Sequence, residues 1–281
     1  MATFFNQATL SYSGGTVNSN ITSGELVEVL SATKTAVVDE YSQGSDITYV
    51  VNIVNSGDIA FTGLNITDNL GAYEFNNETL QPLDYVEGSV KYFVNGVLQA
   101  DPAVNDGPPL VISGINVPAQ GVVTIIYAAT ANNFAPPTGT IENTAVISGG
   151  GITELTVSET VTAQSEPRLN ITKSLSPTTV TENGQLTYTF VIQNTGNREA
   201  VATDNVIITD TFNPILSDIT VTYNGTPWTE GVNYTYDEAT GLFRTTVGSI
   251  TVPAATYTQD AETGNWIIDP GVATITVTGT V

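Results

Sequence analysis

The sequence predicts an all-β chain of two tandem immunoglobulin-like β-sandwich domains, and three observations carry that expectation. Thr, Val and Ile abound, Gly and Pro are scattered, and no long stretch has the helical period. Alternating apolar runs such as Ile47-Thr-Tyr-Val-Val-Asn-Ile53 are bounded by turn residues. The same series of runs then occurs twice in the same order. A chain of 281 residues with 41% hydrophobic content suits two domains with real cores.

The elements can be taken in order. In the first copy, Ser31-Ala-Thr-Lys34 leads to Asp46-Ile-Thr-Tyr-Val-Val-Asn-Ile-Val-Asn-Ser-Gly57. In the second, Asn170-Ile-Thr-Lys173 leads to Gln185-Leu-Thr-Tyr-Thr-Phe-Val-Ile-Gln-Asn-Thr-Gly196. Lys34 precedes Tyr49 by the same interval that separates Lys173 from Tyr188. Next come Leu64-Asn-Ile-Thr-Asp-Asn-Leu70 and Val206-Ile-Ile-Thr-Asp-Thr-Phe212. Each copy then carries an Asn-Gly hairpin signal, at Asn95-Gly96 and Asn224-Gly225. Val117-Pro-Ala119 corresponds to Val252-Pro-Ala254, and the strand from Gly121 to Ala131 corresponds to the one from Gly271 to Val281.

The first copy continues into Ile141-Glu-Asn-Thr-Ala-Val-Ile-Ser148, whereas the second has no such continuation in this chain. A similar strand, Phe5-Asn-Gln-Ala-Thr-Leu-Ser-Tyr12, stands at the N-terminus instead. The predicted organisation is therefore an N-terminal donor-strand arm (1–25), a first sandwich (26–165) and a second sandwich (166–281) that lacks its closing strand. The short polar stretch Gln164-Ser-Glu-Pro-Arg168 separates the two copies.

These motifs resemble the DUF11 repeat, a surface domain of bacteria and archaea. The marks are the Thr-Lys start, the Tyr49…Asn55-Ser-Gly57 and Tyr188…Asn194-Thr-Gly196 strands, the Thr-Asp strands at Asp68 and Asp210, and the Asn143-Thr-Ala145 strand. The resemblance covers both copies. It departs from the usual pattern in the N-terminal position of one closing strand and in the variant Asn6-Gln-Ala8. It implies an immunoglobulin-like sandwich in extracellular stalks and filaments, and in some members Lys–Asn isopeptide bonds.

Composition excludes several functions. A net charge of -22 argues against nucleic acid and against a grip on anionic lipid. The absence of Cys and His removes disulfides, thiol and Ser-His-Asp catalysis, and nearly all zinc chemistry. No apolar run reaches the length of a membrane-spanning helix. The start, Met1-Ala-Thr-Phe-Phe-Asn6, lacks the basic region and apolar core of a signal peptide. Export after signal removal or by another route is expected, with an extracellular location on a cell or spore surface. Carboxylate pairs such as Glu25/Glu28 have no aromatic-lined cleft readable around them, so neither enzymatic turnover nor a cofactor is expected. Trp228 and Trp266 read as packing or turn residues.

The chemistry lies in polar residues on apolar faces. Lys34 shares strand parity with Leu30, Ala32 and Ala36, and Lys173 with Leu169, Ile171 and Leu175. Asp68 is in phase with Leu64, Ile66 and Leu70, and Asp210 with Val206, Ile208 and Phe212. Asn143 is in phase with Ala145 and Ile147, and Asn6 with Ala8 and Leu10. All six are thus expected to point toward cores. Burial disfavours charge on both amine and carboxyl groups, leaving a nucleophilic amine, an acid able to donate a proton, and a carboxamide as target. The product would be a Lys–Asn isopeptide bond. The alternative is a satisfied Lys–Asp–Asn network with no covalent bond.

The first copy holds Lys34, Asn143 and Asp68 as an intramolecular set. The second holds only Lys173 and Asp210, so Asn6 of a neighbouring subunit is the expected partner, carried by a donor strand bearing Phe5, Ala8, Leu10 and Tyr12. Such a head-to-tail contact does not close and so builds a homopolymer. The alternative is a monomeric adhesin or stalk module that binds a ligand.

Overall fold

The computed structural model describes residues 2–26 and 28–281. Met1 of the arm and Val27 at the start of the first domain lie outside the described residues, as do the side chains of Ala2, Glu25 and Leu26. Among the described residues the regular elements are strands, apart from one 3-10 turn at Ala202–Asp204. The chain divides into one unit of residues 1–132 with 141–161, and another of 133–140 with 162–281.

The first unit is a sandwich of two antiparallel sheets. One sheet runs, in spatial order, Val97–Leu98, Lys91–Val94, Val122–Ala131, Asp46–Asn55 and Leu30–Ala36. The other runs Ala103–Asn105, Leu110–Val117, Phe61–Asp68, Thr140–Gly149, Leu155–Ala163 and Glu40–Tyr41. The alternation read from sequence is the burial pattern observed. Ile47, Tyr49, Val51 and Ile53 are fully buried from the first sheet, facing Leu64, Ile66, Ile112 and Ile147 from the second. Lys91–Val94 and Val97–Leu98 are joined at Asn95 and Gly96, both with positive φ (49° and 78°), a two-residue turn whose twist suits the strands. Asn224 and Gly225 repeat that turn in the second unit.

The second unit repeats the first sheet as Leu169–Ser176, Gln185–Asn194, Gly271–Thr280, Ser217–Tyr223 and Thr226–Pro227. Its core joins Tyr188, Phe190 and Ile275 of that sheet to Phe212 and Phe243. Phe243 belongs to a three-stranded sheet of Thr209–Thr211, Leu242–Thr245 and Tyr234–Asp237. Trp228 stacks on Tyr223 at 5.0 Å, and the Trp266 indole N–H donates to the Phe134 carbonyl at 3.3 Å, so both tryptophans have packing roles.

The paired Asn-x-Gly motifs close the strands in both units. Asn55 Nδ2 donates to the Ile59 and Pro118 carbonyls at 2.8 Å each, while its Oδ1 accepts from the Gly57 N–H at 2.9 Å. Asn194 does the same with Arg198 (2.7 Å), Pro253 (3.0 Å) and Gly196 (2.9 Å). The recurrence of Val-Pro-Ala in both copies thus has a structural cause: its proline carbonyl is the acceptor for the buried Asn.

The arm is a hairpin rather than a single strand. Ala2–Asn6 pairs with Thr22–Leu26, and Thr9–Tyr12 pairs with Gly15–Asn18. Among the described residues these strands pair with no others. Every residue from Thr3 to Ser23 is exposed, including Phe4, Phe5, Leu10, Tyr12, Val17 and Ile21.

Candidate functional site: two lysine–aspartate centres

Both lysines occupy one register of the repeat. Lys34 lies opposite Val51 and Lys173 opposite Phe190, so each ammonium sits on the inner face beside the tyrosine of the next strand. Lys34 Nζ stands 4.9 Å from the Tyr49 ring centre, and Lys173 Nζ 4.2 Å from that of Tyr188. The equal Lys-to-Tyr intervals in the sequence thus reflect a shared contact.

In the first unit the centre is sealed. Lys34 Nζ donates to Asp68 Oδ2 at 2.6 Å and to the backbone carbonyl of Asn143 at 2.9 Å. The Lys34 and Asp68 side chains are both 0% exposed. Asp68 also accepts from the Tyr127 hydroxyl at Oδ2 and from the Leu70 N–H at Oδ1, 2.8 Å away. Burial holds the Lys34 amine down to about 8, against an opposing pull from Asp68 and a weaker one from Glu159. Burial likewise pushes the hydroxyls of Tyr49 and Tyr127 well above their ordinary range.

Asn143 completes this set. Its strand pairs with Phe61–Asp68, Ala145 lying opposite Asp68, and the Asn69 side chain accepts from the Thr144 N–H at 2.9 Å. Asn143 is fully buried among the hydroxyls of Tyr49 and Tyr127, yet neither Oδ1 nor Nδ2 of its carboxamide has a hydrogen-bond partner of good geometry. A buried unpartnered carboxamide is costly. It lies beside an amine that burial has made a better nucleophile.

The second centre is open. Lys173 pairs with Asp210, but the two side chains are 37% and 21% exposed. Lys173 points inward as expected but is not sealed in a core: it lies on the inner face, against Tyr188, Phe190 and Phe212, and among the described residues no strand is laid over it. Every residue of Leu169–Ser176 is exposed, whereas in its counterpart Lys34 is buried and the other inward residues, Leu30, Ala32 and Ala36, are half-buried. Asn6 is likewise on an exposed strand and not in a core.

Two residues escaped the sequence reading. Tyr127 holds Asp68, and its signal was present, since it lies in phase with Val123 and Ile125 and opposite Tyr49. Its counterpart in the repeat is Val277, opposite Tyr188, so Asp210 has no matching phenol. Phe4 is the other. It lies on the face of Asn6, and its ring covers Gly24, where an added Cβ would come within 2.4 Å of it. Strand alternation puts Phe5 on the opposite face from Asn6. The third lysine, Lys91, forms an exposed ion pair with Asp101 at 2.9 Å.

No protein-family profile matches the chain, and no curated protein matches it. Solved structures do resemble it. The C-terminal domain of the AgI/II polypeptide BspA of Streptococcus agalactiae aligns at 11% identity and a TM-score of 0.41, over 89% of this chain and 91% of that one. The pilus backbone protein RrgB of Streptococcus pneumoniae aligns at 13% identity and 0.35, over 86% and 55%. BcpA, the major pilin subunit of Bacillus cereus, aligns at 12% and 0.36, over 96% and 73%. The chain itself is all-β, as its sequence predicts.

Proposed function

We propose that this chain is the structural subunit of an extracellular filament, a DUF11-type surface protein assembled head to tail. The arm of one copy completes the second unit of the next, and Lys–Asn bonds lock both centres. The single observation that carries this reading is the contrast between two equivalent ion pairs. Lys34–Asp68 is sealed by the strand that bears Asn143, and Lys173–Asp210 stands open. The arm offers a matching strand with Asn6 in phase with Ala8 and Leu10, as Asn143 is with Ala145 and Ile147. A two-stranded hairpin with no second layer is marginal in water, so its exposed apolar face gains most by docking.

In the bond-forming step, Asp68 takes one proton from the Lys34 ammonium. Nζ then attacks Cγ of Asn143 while the acid protonates the amide oxygen. The Cγ–Nδ2 bond breaks, and the nitrogen leaves with two former Nζ protons as ammonium. Asp68 returns to the carboxylate. Lys173, Asp210 and Asn6 of the neighbouring copy would repeat the step at the joint.

Negative-stain microscopy and SDS electrophoresis of the purified protein test this. Filaments and a boiling-resistant ladder are expected, with Asn6→Ala reducing the ladder to monomer. The self-paired arm also suits a monomeric surface module. A monodisperse monomer by light scattering, with no filaments at any concentration, selects that reading instead.

A further inference from the structure

Resting on the reading that the arm completes the second unit of another copy, we propose that it docks as an intact two-stranded hairpin. Its second strand, residues 15–26, roofs the lysine strand Leu169–Ser176 of that copy.

The first unit shows what completes a lysine centre. Its closing element is not one strand but two, Thr140–Gly149 and Leu155–Ala163, adjacent in one sheet. Val161 on the second of these is fully buried, and Glu159 acts electrostatically on Lys34 and Tyr49. The second strand is therefore part of the cover over Lys34.

The arm matches that element in both its strands. Asn6 precedes Tyr12 by the interval that separates Asn143 from Gly149, and a two-residue turn follows each. Counting from the turn, Phe4, Ala8 and Leu10 take the places of Ile141, Ala145 and Ile147, all buried in the first unit. On the return strand Thr22 takes the place of Glu159, and Gly24 that of Val161.

Both facing surfaces are apolar and exposed. The first lysine strand presents the small Ala32 and Ala36 toward a cover that carries Val161. The second presents Ile171 and Leu175, which are 53% and 43% exposed, and the return strand of the arm carries Gly24 at the equivalent place with the Phe4 ring laid over it, an apolar surface for them to pack on. A single donated strand would pair beside Asp210 and leave Ile171 in water. The hairpin covers both.

Two synthetic peptides, residues 2–12 and residues 2–26, separate the possibilities when added to the assembling full-length protein. The 2–26 peptide is expected to cap growth and shorten filaments, with the 2–12 peptide at least about tenfold weaker. Equal capping by both overturns the hairpin while keeping strand donation. Capping by neither, with filaments still formed, overturns strand donation itself. In the full chain, Val17→Lys with Thr22→Lys should shorten filaments as severely as Leu10→Lys. Filaments of normal length from the double variant, beside their loss in Leu10→Lys, also overturn the hairpin.

Discussion

Lys34 and Lys173 stand at one register of a repeated sheet, each beside a tyrosine ring, yet the first is sealed with its aspartate and the second is open to solvent. The difference does not come from the lysine strands' own pairing, which is the same in both units. It comes from the strands that cover them.

Replacing Asn143 removes the target of Lys34. Asn143→Ala should raise the intact mass of the chain by retaining the ammonia otherwise lost, after allowance for the substitution itself. The variant also gains a pH dependence. Lys34 is held down to about 8 when folded and has its ordinary value of 10.5 when unfolded. Between these values the unfolded chain binds the extra proton, so stability rises as pH climbs from about 8 to 10.5. The gain is on the order of 3 kcal/mol. A cross-linked chain has no amine to titrate and should show none of it. Urea denaturation across this pH range measures the difference.

Asp68 is the counter-charge of a buried amine. Asp68→Ala should cost about 3–5 kcal/mol, because it strands Lys34 in the core, and should block the bond. Asp210→Ala should cost far less, since water reaches its partner. Equal losses in chemical denaturation of the two variants would refute this account of the two sites.

Tyr127→Phe removes the phenol that holds Asp68 and keeps the ring packing. A loss of about 1–3 kcal/mol is expected, with slower bond formation in the first unit. The joint between copies should form at its usual rate, because Val277 stands at the equivalent place there. Time-resolved intact mass beside ladder formation reads both.

Asn55→Ala and Asn194→Ala each remove a buried carboxamide and its bonds to part-buried carbonyls, Pro118 in one unit and Pro253 in the other. Each should destabilise its own unit by about 1–3 kcal/mol and leave the lysine centres intact. Thermal unfolding with two resolved transitions would show one transition moving in each variant.

Much of this protein is written in local sequence. Strand parity pointed Lys34 inward from one sheet and Asp68 and Asn143 inward from the other, and the repeat paired Lys173 with Asp210. Alternation is a property of a few consecutive residues, so a strand carries it before it meets its neighbours. Tertiary structure decided the rest. Parity says which way a side chain points but not whether another strand lies over it, so it gave Lys34 and Lys173 the same inward direction without separating the sealed site from the open one. It could not show that Tyr127 bonds to Asp68, since those residues meet only when two sheets close on each other. Nor could it show that the arm turns back on itself with Phe4 over Gly24, a pairing made across the hairpin. Strand direction and face are set by the chain's own geometry; cover is set by contacts distant in sequence.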